Sequence, residues 1–244
     1  MQHITSSEIK ARSGTTWLIY GQPGVGKTPF ASCFPEPWIW DCEGGTGSVI
    51  DDRPVQITTI ESYADIMALV QVVQAAPTTH IKLSSKEFPC KTIVVDTVGE
   101  YARIIIGSAK GTKETATLPD WGVMVERVRN TTRALRNARD KGFNIVFICH
   151  EQYLTQSETS MVLGMPDLPG KELPNDLPKL CDVVCRMRVR RNPKGELERI
   201  LVTAPDGQFI GRDRFGRLDE TEVIPPFTKP DEVRKLIAKA GVTY

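Results

Sequence analysis

Short apolar runs, each closed by a polar or glycine-rich turn, recur along the chain and set its rhythm. Trp17-Leu18-Ile19-Tyr20 gives way to Gly21, and Trp38-Ile39-Trp40-Asp41 to Glu43-Gly44-Gly45-Thr46-Gly47. Thr92-Ile93-Val94-Val95 ends in Asp96, and Asn144 to Cys149 ends in His150-Glu151-Gln152. Runs this short and this apolar predict buried strands. Val55 to Ile60 offers another. Elsewhere the period lengthens to that of a helix. Ser62 to Val73 puts Ala64, Ile66, Met67, Val70 and Val73 on one side, and Tyr101 to Ala109 is similar. Trp121 to Arg139 is the longest such stretch; Trp121, Val125, Val128, Thr132 and Leu135 form its inward stripe, with Arg129, Arg133 and Arg136 on a solvated opposite side. Ala75 to Pro89 reads as a loop excursion, and Leu154 to Lys179, polar and rich in Gly and Pro, as a mobile loop. Further on, Cys185, Met187 and Val189 alternate with Arg186, Arg188 and Arg190, the period of a strand. Asn192-Pro193-Lys194-Gly195 turns it, Arg199 to Thr203 returns as a hairpin partner, and a short helix, Asp231 to Ala240, follows Pro225-Pro226. Alternating strands and helices predict an α/β fold, a mostly parallel sheet flanked by helices with a C-terminal antiparallel hairpin.

Composition narrows the class. The chain has 244 residues, 40% hydrophobic and 25% charged, which suits one α/β domain. A net charge of +1 gives no global field for nucleic acid, so any basic surface must be local. No apolar run approaches a membrane span and the start lacks the shape of a signal peptide, so the expected location is the cytoplasm, that of the host cell if the gene is a phage's. Six scattered cysteines without a C-x-x-C, and only three histidines, argue for a reduced chain without zinc.

The chemistry gathers at Gly21-Gln22-Pro23-Gly24-Val25-Gly26-Lys27-Thr28, the G-x-x-x-x-G-K-[ST] pattern of a phosphate-binding loop between a strand and a helix. Its glycines let successive N–H groups turn inward as a nest for anionic oxygens. Lys27 would reach the β- and γ-phosphates of ATP, and the Thr28 hydroxyl would ligate Mg²⁺. Pro29, next in line, lacks an N–H and so loosens the grip on the α-phosphate. Asp96 ends a Val-Val strand, where a carboxylate associates with the metal. Thr97 follows it, so the base that activates water must come from elsewhere. Glu43, Glu100 and Glu151 compete, and Glu43 is favoured because parallel strands bring their C-terminal ends to one edge. His150 ends the neighbouring strand and would either sense the γ-phosphate or sit as a satisfied, partly buried imidazole.

The set Gly21–Thr28, Asp41-Cys42-Glu43, Ile93–Asp96 and Ile145–His150 resembles the RecA-like P-loop ATPase core over residues 15–218. The Glu-Gly-Gly after the second strand and Asp120-Trp121-Gly122 look like the single-domain phage Sak-type annealing recombinases and their AAA-like phage relatives. The resemblance implies Glu43 as catalytic glutamate and His150 as the link from ATP to DNA-binding loops. It also implies that Arg212 and Arg214 complete the ATP site of a neighbouring subunit, in a filament or ring. It divides the chain into an arm (1–14), an ATPase core (15–218) and a C-terminal tail with a short helix (219–244). The implied DNA loops are Lys110–Lys113 and Gln156–Lys179, with Arg186, Arg188, Arg190 and Arg191 as further contributors. The expected function is ATP- and Mg²⁺-dependent, DNA-stimulated annealing or strand exchange on single-stranded DNA, with a single-strand-binding protein as a further partner. The alternatives are a ring-forming helicase-type or partner-remodelling motor, and a small-molecule phosphotransferase.

Overall fold

The computed structural model describes residues 14–49, 54–84, 86–155 and 162–244. The first strand, β1 (Thr16–Tyr20), leads through the glycine loop into α1 (Lys27–Ser32). Then come β2 (Pro37–Asp41), β3 (Gln56–Thr59), α2 (Tyr63–Ala75), β4 (His80–Leu83), β5 (Lys86–Pro89) and β6 (Thr92–Asp96). Two long helices, α3 (Val98–Lys110) and α4 (Leu118–Ala138), precede β7 (Asn144–Cys149). The remainder is β8 (Glu151–Thr155), β9 (Val162–Pro166), α5 (Leu173–Leu180), β10 (Val183–Arg191), β11 (Leu197–Val202), β12 (Arg212–Asp213), β13 (Thr221–Ile224) and α6 (Pro230–Lys239).

Among the described residues the main sheet runs β13-β11-β10-β1-β7-β6-β2-β3, with β12 also paired to β10. From β10 to β3 every pairing is parallel, and β11, β12 and β13 join antiparallel. This is the mostly parallel α/β sheet, flanked by helices and closed by an antiparallel addition, that the alternating pattern predicts. Successive strand residues point to opposite faces, and two cores result. Leu18 and Tyr20 pack with Trp38, Trp40, Tyr101, Val128 and Leu135 beneath α2, α3, α4 and α5. Trp17 and Ile19 pack with Phe30, Ile39, Ile148, Val233 and Ile237 beneath α1 and α6. Local chemistry fixes the helix starts. Ser62 and Asp65 form a capping box on α2, and the Thr97 hydroxyl accepts from the Glu100 N–H at the start of α3.

Four expectations need correction. Ala75 to Pro89 is not a bare excursion, because β4 and β5 pair within it and bury Ile81 and Phe88. Leu154 to Lys179 is largely built: β8 and β9 form a hairpin, and Leu173 and Leu177 of α5, four apart, are buried. Residues 156–161 of that stretch, like residues 1–13 of the proposed arm, lie outside the described ones. On α4 the inward stripe begins at Met124, and Trp121 is 39% exposed. Its Arg129 is not merely solvated, since it pairs with Glu172 and Asp176 beside α5. Residues 219–244, the expected tail with its short helix, add β13 to the sheet and α6 to the second core.

The parallel register carries the result that matters. Tyr20 lies opposite Cys149, Ile148 opposite Asp96, and Asp96 opposite Asp41. The phosphate loop, Asp96, the turn bearing Glu43, and His150 therefore leave the sheet along one edge.

Candidate active site

The chain leaves β1 and winds through Gly24 at φ +77° and Gly26 at φ +102°, the left-handed region in which a Cβ is penalised. Lys27 begins α1, 6% exposed, and its ammonium donates to the carbonyl oxygens of Gly21 (3.0 Å) and Gln22 (2.9 Å). Burial pulls its pKa down, and the Asp96 carboxylate opposes that shift. A buried ammonium whose hydrogen bonds among the described residues are to neutral carbonyls is stabilised when anionic oxygens arrive.

The Thr28 hydroxyl donates to Asp96 Oδ2 at 2.6 Å. Asp96 is buried, and burial pushes its pKa up against the effect of that hydrogen bond. A hydroxyl and a carboxylate oxygen in contact on the rim of a phosphate nest form a hard donor set, which fits Mg²⁺. Thr28 and Asp96 would hold the ion, and bound there it would neutralise phosphate charge.

A buried carboxylate aims the turn beyond β2. Asp41, 4% exposed, accepts from the Glu43 N–H (3.1 Å), the Gly44 N–H (2.7 Å) and the Thr46 hydroxyl (3.0 Å). The turn delivers Glu43 to His150, whose Nε2 lies 3.1 and 3.2 Å from the two carboxylate oxygens. An ionised carboxylate only accepts, so Nε2 carries the proton in this contact. His150 Nδ1 is buried without a partner among the described residues. Glu43, His150, Lys27, Thr28, Asp96, Pro23, Gly24, Gly26 and Pro29 share one cavity of about 400 Å³. The rival carboxylates are engaged elsewhere: Glu100 pairs with Arg103, and Glu151, 1% exposed at its side chain, with Arg186 at 2.6 Å. A cleft of similar size between α4 and α5 is lined by the ion-paired Arg129 and Asp176 and holds no comparable loop.

The model of a family described as an AAA domain matches residues 13–215 of this chain. The chain belongs to that AAA-domain family. No curated protein matches it. Solved structures that resemble this AAA-domain chain include a KaiC-like protein of the hyperthermophilic archaeon Pyrococcus horikoshii, 14% identical over 78% of both chains with a TM-score of 0.40. The flagellar accessory protein FlaH of Methanocaldococcus jannaschii is 7% identical over 87% of this chain and 85% of its own, with a TM-score of 0.44. The RadB recombinase is 13% identical over 87% of both, with a TM-score of 0.47.

Other predicted site residues of the AAA-domain chain lie away from the cavity. Val183, beside Asp213 of β12, is in register with Trp17, near the start of β1 and far from the loop that follows its end. Arg212 and Arg214 flank that position. Arg214 donates to Asp182 at 2.7 Å, a buried carboxylate that also takes Arg139 and the Thr16 N–H. Within one chain neither arginine reaches the cavity. In the implied DNA loops, Lys113 is paired with Asp120, whose carboxyl it holds down at about 2, and Lys179 with Asp176. Gln22 of the phosphate loop lies 3.5 Å from the Tyr153 hydroxyl on β8.

Three cavity residues escaped sequence reasoning: Ser48 beyond the Glu43 turn, Arg199 of β11 and Phe227 beyond β13. Arg199 shares a strand face with Leu201, so a cation breaking an apolar alternation was the available signal. Asp41 was legible only as a strand end.

Proposed function

We propose that this chain hydrolyses ATP with Mg²⁺ and couples turnover to annealing or strand exchange on single-stranded DNA, working as a filament or ring. One observation carries the reading: Glu43, the only one of the three candidate carboxylates in the cavity, touches His150 above the phosphate loop. The loop N–H groups and Lys27 bind the phosphates, Thr28 and Asp96 hold the metal, and Glu43 orients and deprotonates water. His150 is the single residue between β7 and the β8–β9 hairpin, so a shift of Glu43 toward the γ-phosphate changes a contact at the root of that hairpin. Arg212 and Arg214 would serve a neighbouring subunit's site, their planar forks suited to spread phosphoryl charge. ATP turnover with and without single-stranded DNA, for the native chain and Lys27→Ala, tests the reading. DNA-stimulated hydrolysis that Lys27→Ala abolishes is expected; DNA-insensitive hydrolysis contradicts the DNA role.

A second reading, a ring motor that remodels a protein partner, draws support from the carboxylates that hold Lys113 and Lys179. Paired lysines offer less charge for phosphate neutralisation. Electron microscopy with ATP separates the two: helical filaments on DNA favour the first, closed rings without DNA the second.

A further inference from the structure

We infer that Arg199 and Phe227 form a clamp on the nucleoside side of the cavity, the Phe227 ring stacking on the base and the Arg199 guanidinium meeting the α-phosphate. The inference rests on the reading that this cavity binds a nucleoside triphosphate. Both residues line it, and both are brought against the loop from far along the chain. Phe227 lies beyond the stretch that the family model matches.

The ring is seated on the loop backbone. A Cβ on Gly26 would stand 2.6 Å from Phe227 Cε2 and 3.1 Å from Arg199 Nε, so a side chain there would push ring and guanidinium aside as well as strain the positive φ. Phe227 is half-buried, which leaves part of the ring open to the cavity. Its carrier segment is rigid. Pro225 and Pro226 fix the backbone, Lys229 N–H closes a turn on the Pro226 carbonyl, and buried Ile224 and Val233 anchor the two ends. An aromatic face held at a polar phosphate loop by a stiff, anchored segment is suited to a planar partner.

Arg199 supplies the charge. Its Nε donates to the Val25 carbonyl at 3.0 Å and its Cζ lies 5.2 Å from the Phe227 centroid, so loop and ring together orient the guanidinium. Among the described residues its terminal nitrogens have no partner, and the residue is exposed. Pro29 removes one N–H from the loop just after Thr28, leaving the α-phosphate short of a donor. A guanidinium fork beside the loop is fitted to replace it.

Equilibrium binding of Mg²⁺-ATP and of Mg²⁺-tripolyphosphate separates the base from the phosphates. The native chain is expected to prefer ATP. Phe227→Ala should weaken ATP binding roughly 5- to 100-fold, the range of a lost base stack, and leave tripolyphosphate unchanged. Phe227→Leu, which keeps apolar volume without a π-face, should behave like Phe227→Ala while melting like the native chain. Phe227→Trp should keep the preference and show a nucleotide-dependent change in emission that tripolyphosphate does not cause. Arg199→Gln should weaken both ligands. Equal affinity of the native chain for the two, or parallel losses in Phe227→Leu, would overturn the clamp while leaving the phosphate site standing. Binding of both ligands undiminished by Lys27→Ala would instead remove the nucleotide reading, and the clamp with it.

Discussion

Asp41→Ala isolates the device that aims Glu43. The native carboxylate takes three hydrogen bonds from the turn it precedes, at 2.7–3.1 Å, and is itself 4% exposed. Each such bond contributes on the order of 0.5–1.5 kcal/mol net, and water can replace part of it because Gly44 is exposed. The expected total is about 1–3 kcal/mol, or a fall in Tm of about 2–10 °C for a chain of this size. The larger effect is on turnover. A reacting group displaced by about 1 Å costs on the order of 100-fold in rate, and Glu43 has no other described partner in its own turn to hold it. Asp41→Ala should therefore lower kcat by roughly that factor, with ATP affinity within about threefold because the loop, Lys27 and Asp96 are untouched. Asp41→Asn, which keeps the Oδ1 acceptor for both N–H groups, should recover most of the rate. Steady-state hydrolysis paired with binding of a nonhydrolysable analogue makes the measurement. A folded Asp41→Ala with kcat near native, or with binding lost in step with kcat, would refute the reasoning.

Asp96→Asn should raise thermal stability near neutral pH while abolishing Mg²⁺-dependent hydrolysis. Because burial raises the Asp96 pKa, the native chain is disfavoured once that carboxyl ionises. The advantage of Asp96→Asn should therefore be full above the raised folded pKa, shrink as pH falls, and vanish below the ordinary carboxylate value near 3.8, a profile that melting curves across pH would check. Asp182→Ala should destabilise by about 3–5 kcal/mol, since it strands the buried Thr16 N–H and two arginines, as denaturant titration would show. Gly164→Ala should loosen the β8–β9 hairpin, because its Cβ would stand 2.0 Å from the Phe209 ring. Faster amide exchange confined to that hairpin is the expected reading, and exchange unchanged there would count against the packing described.

What the sequence made legible follows from the physics of contiguous runs. Gly21–Thr28, Asp96 and His150 sit at the ends of short apolar strands, and Glu43 follows one two residues on; a parallel sheet places all such ends together without any knowledge of packing. The hairpin of β8 and β9 was missed because its strands pair chiefly with each other and need no buried alternation; Tyr153 and Leu154 are both exposed. The α5 helix was hidden by Pro174 and Pro178, one admitted at the first turn and the other near the end of an eight-residue helix. Arg199 meets Val25 across 174 residues, a contact that no local period encodes. Trp121 was assigned inward on helical spacing, yet the buried face runs through Asp120, Met124, Val128, Thr131 and Leu135, and Trp121 falls one position off it.

The account turns on Glu43 acting upon a phosphate held by the loop beside it, and Glu43→Gln tests that most directly. Single-turnover hydrolysis of Mg²⁺-ATP, with binding followed separately, should show native affinity and a chemical step slowed on the order of 100-fold or more. Hydrolysis at the native rate in Glu43→Gln would contradict it.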